Sequence, residues 1–243
     1  MRLTAAAHTD RGQVRRENQD CYGYDADVGL FVLADGMGGR AAGARASAEA
    51  VRVVMEAIAA GTDEGDGGAR LEAAIAVANR RIWQLAEADP ALHGMGTTVV
   101  TLLVEGATGH VAHAGDSRLY RVRGEAIEAL TRDHSYAAEL AGQGIELADG
   151  MSAHYRGMLT RAVGVEEAVE VEVGRVPLAA GDLLLLCSDG VYRPVPPDEL
   201  RALVTAADGD LAARAAAIVA RANEAGGPDN ATVVVVRVED DAP

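Results

Sequence analysis

Gly29-Leu30-Phe31-Val32-Leu33-Ala34-Asp35-Gly36-Met37-Gly38-Gly39 decides how this chain is read. Five apolar residues, Leu30 to Ala34, are too few for a helix and suit a buried strand. The run stops on Asp35, with glycines at 36, 38 and 39. A carboxylate at the mouth of an apolar strand is costly to desolvate unless something pairs with it. Glycine beside it lets the backbone turn sharply or brings a carbonyl close to a bound ion. The same phrase returns far downstream, where Leu183-Leu184-Leu185-Leu186-Cys187-Ser188 runs into Asp189-Gly190. Two apolar strands that each deliver an Asp-Gly are suited to holding a hard cation between them.

Outward from these two units, strands are expected at Leu3 to His8, Cys21 to Tyr24, Gly96 to Val104, His110 to Ala114, Leu119 to Val122, Val169 to Val176 and Thr232 to Val238. Val51, Val54, Met55 and Ile58 mark the apolar face of a helix running from Arg40 to near Gly61. After a glycine-rich loop from 61 to 68, Leu71, Ile75, Ala78, Ile82 and Leu85 mark a second helix, stopped by Asp89-Pro90. Shorter helices are expected over Asp198 to Val204 and Asp210 to Ala225. Strands in runs and helices in pairs argue for an α+β fold with antiparallel sheets. The expectation is a single domain over 1–243, with an irregular flap at about 131–164 and an acidic tail at 239–243.

An apolar fraction of 49% is ample for a core, and with aromatics at 3% alanine and valine must carry the packing. The formal charge of −15 disfavours nucleic acid and anionic membranes, which draw on clustered Lys and Arg. Cys21 and Cys187 are the only cysteines and are expected reduced. No secretory pattern opens the sequence and no run approaches a membrane span, so a soluble cytoplasmic protein is expected.

Five carboxylates stand beside glycine or a turn at a strand end: Asp20, Asp35, Asp116, Asp189 and Asp229. If they converge, their repulsion calls for cations. Oxygen-only ligands favour Mg²⁺ or Mn²⁺ over Zn²⁺. Two such ions about 3.5–4 Å apart form a hydrolytic clamp that lowers the pKa of a bridging water and steadies a phosphoryl oxygen.

Arg15-x-x-Asn18-Gln19-Asp20, Asp35-Gly36-Met37-Gly38-Gly39, Gly96-Thr97-Thr98, Gly115-Asp116-Ser117-Arg118, Ser188-Asp189-Gly190 and Asp229-Asn230 together resemble the signature blocks of the PPM (type 2C) metal-dependent Ser/Thr protein phosphatases, bacterial type. A single Asp-Gly carries no weight, whereas these blocks in the family's order are specific. The resemblance implies a four-layer α-β-β-α sandwich, two packed antiparallel sheets flanked by helix pairs. It implies hydrolysis of phosphoserine and phosphothreonine in proteins by a metal-activated bridging water, reversing Ser/Thr kinase action. Asp35 then bridges two Mn²⁺ or Mg²⁺ ions, and the Gly36 carbonyl helps hold one of them. Asp189 and Asp229 hold the second ion, and Asp20 orients the metal-bound water. Arg15 grips the substrate phosphate, a task suited to its fork of donors. Asp116 corresponds to a ligand of a third, weaker metal shared with the Asp189 position. The implied partners are phosphorylated proteins, a cognate kinase and its substrates, for a chain expected to be a monomer.

Some positions depart from the pattern. Met37 stands where animal members carry a His proposed as general acid, so the proton donor to the leaving group is unassigned. Gln19 replaces a frequent Glu, and Glu146 stands where a Ser or Thr often lies near the third metal. Taken singly, each Asp-Gly is also a common turn, and Asp116 could cap its hairpin with no metal, a reading only modestly behind the metal one. Arg15 and Arg16 could be an exposed surface pair. His113 reads as a packed core residue, and His134 and His154 as structural residues of the flap. Two other functions stay open: a catalytically silent PPM-like binding module, and a hydrolase of small phosphoesters.

Overall fold

The structure, a computed structural model, describes residues 1–61, 65–145, 157–206 and 209–240. Strands β1 (Arg2–Asp10), β2 (Asp20–Asp25) and β3 (Leu30–Met37) lead into helices α1 (Arg40–Ala60) and α2 (Gly67–Ala88). Next come β4 (Gly96–Thr97), β5 (Val99–Glu105), β6 (Thr108–Ala114), β7 (Arg118–Arg123), β8 (Ala126–Ala129) and α3 (Tyr136–Gly142). The last described elements are β9 (Glu172–Pro177), β10 (Leu183–Cys187), α4 (Asp189–Tyr192), α5 (Pro197–Thr205), α6 (Leu211–Glu224) and β11 (Ala231–Glu239). One sheet has the order β1-β11-β10-β7-β8, and the other β2-β3-β5-β6-β9 with β4 beside β3. All the pairings are antiparallel.

The two sheets lie face to face, and the strand sequences show why. Successive side chains of a strand point to opposite faces. On β3, Phe31 and Leu33 enter a core between the sheets, while Leu30, Val32 and Ala34 pack under α1 and α2. On β10, Leu184 and Leu186 join the inter-sheet core, and Leu183, Leu185 and Cys187 lie under α5 and α6. Valines 234, 236 and 238 of β11 do the former, and 233 and 235 the latter. A strand buried on both faces has no polar alternation, hence the unbroken apolar runs. Three stacked cores make four layers, helices, sheet, sheet, helices, as the α+β expectation held.

Several boundaries differ from those read in the sequence. β3 continues through Asp35 to Met37, because β4 pairs with Gly36 and Met37. The segment expected as one strand from 96 is broken at Thr98, whose amide turns to the Asp35 carbonyl. Gly67 and Gly68 begin α2 rather than ending a loop. Asp66 caps that helix by accepting the Ala69 N–H. A Cβ on Gly67 would lie 2.6 Å from the His110 ring, so the close packing of α2 on β6 selects glycine there. In the flap, α3 is helical, and both ends are tied down. Tyr136 N–H donates to the Met158 carbonyl, Thr160 N–H to that of His134, and Val163 exchanges two bonds with Thr97. Glu146, His154, the middle of the flap and the end of the tail lie outside the described residues.

Candidate metal centre and active site

The alternation that builds the cores also aims the carboxylates. After Phe31 and Leu33, the next residue of β3 on the inter-sheet face is Asp35. Antiparallel register places Asp20 of β2 directly opposite it. On β10, the residue following Leu184 and Leu186 on that face is Ser188. Its Oγ donates to Asp20 Oδ2 at 2.7 Å and accepts the Thr232 N–H at 3.0 Å, joining the two sheets at their open end. Asp189 starts α4, and Asp229 lies two residues before the start of β11.

These residues surround a cleft of about 690 Å³ whose walls include Arg15, Asp35, Gly36, Asp116, Asp189, Arg193 and Asp229. Asp20 lies beneath, against Asp35. Arg15 Nη2 donates to Asp229 Oδ2 at 2.6 Å, so its guanidinium is already at the rim. On the far side Arg193 contacts both Asp116 and Asp189. Thr98 Oγ1 accepts the Asp35 N–H at 3.0 Å and shares a 2.7 Å bond with Ser117 Oγ. That pair holds the turn carrying Asp116 against the strand carrying Asp35.

Asn230 is the clasp of the site. Its Oδ1 accepts the Gln19 N–H at 2.8 Å, and its Nδ2 donates to the carbonyls of Arg11 and Glu17, both at 2.9 Å. The loop bearing Arg15 and leading into Asp20 is thereby fastened to the strand after Asp229. Gly36 has a packing reason besides any ligand role, since a Cβ there would meet the Gly43 carbonyl oxygen at 2.1 Å. Gly190 is tighter still, with the Asn230 carbonyl oxygen at 2.0 Å from such a Cβ.

Burial is the leading influence on the acids. It pushes Asp189 up to about 7, with Asp116, Asp229 and Asp20 adding to the rise and Arg193 opposing it. Asp20 is raised to about 6, burial again leading and hydroxyl donors from Thr232 and Ser188 offsetting part of it. Asp35 is held well above the ordinary carboxyl range, first by burial and then by the charges of Asp20, Asp189, Asp116 and Asp229. Asp116 is raised for the same first reason, with Arg193 lowering it. Asp20 Oδ1 and Asp189 Oδ1 are buried and have no hydrogen-bond partner among the described residues. Crowded, oxygen-only and partly orphaned, this donor set fits hard divalent cations.

Comparison with known proteins then decides the kinship. Residues 5–226 match the family model of protein phosphatase 2C. The chain belongs to the protein phosphatase 2C family. A family member similar to it, the serine/threonine phosphatase stp of Listeria welshimeri, is 37% identical over 243 residues, covering 96% of this chain and 95% of that protein. Among solved phosphatase structures, that of Mycobacterium tuberculosis PstP/Ppp superposes with a TM-score of 0.89 at 35% identity, covering 99% of this chain and 100% of that one. The catalytic domain of PstP in complex with two manganese ions gives a TM-score of 0.85 at 34% identity, over 98% and 99% of the two chains.

All seven residues singled out in the sequence, Arg15, Asp20, Asp35, Gly36, Asp116, Asp189 and Asp229, come together at this one end of the sandwich. The sequence reading quoted Ser188 and Asn230 inside motifs without giving them work, and it passed over Arg193. His113 and His134 are buried and stacked, with ring centroids 4.6 Å apart. His113 Nε2 faces the Arg132 carbonyl at 2.9 Å, and His134 Nδ1 accepts the Gly115 N–H at 3.2 Å. His134 Nε2 also lies 3.1 Å from Glu172 Oε2, so the pair links the start of the flap to β9. Both cysteines are free thiols. No helix among the described residues is long and apolar enough to cross a membrane.

Proposed function

We propose that this chain is a metal-dependent protein phosphatase that removes phosphate from phosphoserine and phosphothreonine in proteins. The observation that carries the reading is five carboxylates gathered at the mouth of two sheets, two of their oxygens buried without a partner, with an arginine at the rim. The names of the relatives and the two manganese ions of PstP support it. Asp35, the Gly36 carbonyl, Asp189 and Asp229 would hold two Mn²⁺ or Mg²⁺ ions. When bound, the ions supply a water of lowered pKa and offset charge on the phosphoryl oxygens.

The chain's own residues do the rest. Asp20, steadied by Ser188, would orient the attacking water. Arg15, now bonded to Asp229, would turn its donors to the phosphate of the substrate. Asn230 keeps Arg15 and Asp20 in register with the carboxylates. Natural substrates would be the targets of a Ser/Thr kinase, met in the cytoplasm, where free thiols such as Cys21 and Cys187 persist. A cleft this open at the surface is suited to a phosphorylated segment of another protein.

Phosphate release from a phosphothreonine peptide, measured with Mn²⁺ and with chelator, tests the proposal. Release is expected with metal only, and Asp35→Asn should lower it on the order of a thousandfold, since metal-held charge stabilisation is worth several kcal/mol. Asp35→Asn at wild-type rate would remove the assignment. Turnover confined to small aryl phosphates would leave the chemistry and change the substrate class.

A further inference from the structure

The side of the carboxylate cluster away from Arg15 has a cation of its own. Arg193, just after α4, places Nη2 2.9 Å from Asp189 Oδ2 and 3.1 Å from Asp116 Oδ2. One nitrogen serves two nearly buried carboxylates, one from the β6–β7 turn and one from the end of β10. Its position is built. Arg193 N–H donates to the Asp189 carbonyl at 3.0 Å. The ring of the preceding Tyr192 lies 3.7 Å beneath the Arg118 guanidinium. Arg118 is in turn gripped by both oxygens of Asp133 at 2.8 Å.

Such an arrangement does not fit a divalent ion shared by Asp116 and Asp189. The Oδ2 atom of each carboxylate already faces the one guanidinium, whose charge repels a second cation at that distance; unlike the single Arg15–Asp229 bond at the exposed rim, this contact ties together two nearly buried carboxylates. Asp189 is divided in a telling way: Oδ2 goes to Arg193, while the buried Oδ1 has no partner among the described residues and remains for an ion. Charge points the same way. Five carboxylates less Arg15 and Arg193 leave an excess of three negative charges, which two divalent ions already offset.

We propose that Arg193 is a built-in counter-cation that takes the place of a metal between Asp116 and Asp189, so that the chain binds two divalent ions and not three. The inference rests on the two-ion reading given above. Calorimetric titration of chelator-stripped protein with Mn²⁺, with free ion counted by electron paramagnetic resonance, tests it without reference to turnover. The wild-type chain should take up two equivalents, and Asp116→Asn should still take up two. Arg193→Ala should gain a third, weaker equivalent that disappears in the Arg193→Ala/Asp116→Asn double variant, while Arg193→Lys should stay at two. Three equivalents in the wild type, or none gained by folded Arg193→Ala, would overturn the proposal. Should Arg193→Ala fail to fold, loss of an equivalent in Asp116→Asn alone would overturn it as well. A wild-type chain that binds no Mn²⁺ would instead sink the two-ion reading, and this inference with it.

Discussion

Ser188 Oγ accepts the Thr232 N–H and donates a hydrogen bond to Asp20, so one hydroxyl beside the first sheet offsets part of the burial that raises a carboxyl pKa in the second. A donor to the charged form lowers a carboxyl pKa, and its removal raises it. Ser188→Ala should therefore raise the pKa of Asp20 relative to the unaltered chain. The acidic limb of kcat/KM should move to higher pH by a few tenths to about one unit. A limb that stays in place, in a variant that still folds, would show that Asp20 does not govern it. At this scale the sequence is legible where chemistry is written locally. Asp35 and Asp189 stand out because an apolar run ends on them. Ser188 and Asp20 are 168 residues apart, and Asn230 and Arg11 219, so no local pattern could announce those partnerships. Arg193 shows only as an ordinary arginine four residues after Asp189, and its second partner, Asp116, is visible only in the fold.

The short helix α4 is where packing is least forgiving. Its Gly190 lies against the backbone before β11, and an added Cβ would sit 2.0 Å from the Asn230 carbonyl oxygen. Neither backbone can yield without moving Asp189 or Asp229. Gly190→Ala should lose on the order of 3 kcal/mol of stability in a urea melt, the upper part of the range for overpacked sites. Gly174→Ala in β9 is the matched control. It has open space around it and no unusual φ, and it should change little. Equal losses for the two variants would contradict the packing account. Elements were readable from the sequence because doubly buried strands and one-sided helices leave plain signatures. Their ends were not. β3 runs past Asp35 because of β4, and the first residues of α2 after its Asp66 cap are glycines because His110 and Val173 leave no room for a Cβ. Each of these features answers to a neighbour distant in sequence.

For the whole molecule, gathering these acids has a thermodynamic sign. In the unfolded chain they titrate near 3.8, while in the fold Asp20 and Asp189 do so at about 6 and about 7. Between those values the folded state holds more protons than the unfolded one, so metal-free stability must fall as pH rises through roughly 4 to 7. Chelator-treated protein should melt several degrees lower at about pH 7.5 than at about pH 5.5. Mn²⁺ should erase that difference by binding the folded form alone. A metal-free Tm that climbs across the window would refute the clustering of charge. Order of synthesis adds a separate constraint. β11, the most C-terminal strand, lies inside its sheet between β1 and β10, with Arg2 aligned to Glu239. A ribosome adding about 5–20 residues per second delivers that strand after the other described strands. Asp229 and Asn230 arrive with it. Until translation has passed this point the nascent polypeptide owns four of the five acids but no frame to assemble them. A chain interrupted before Asp229 is therefore expected to release no phosphate, whatever else it has folded.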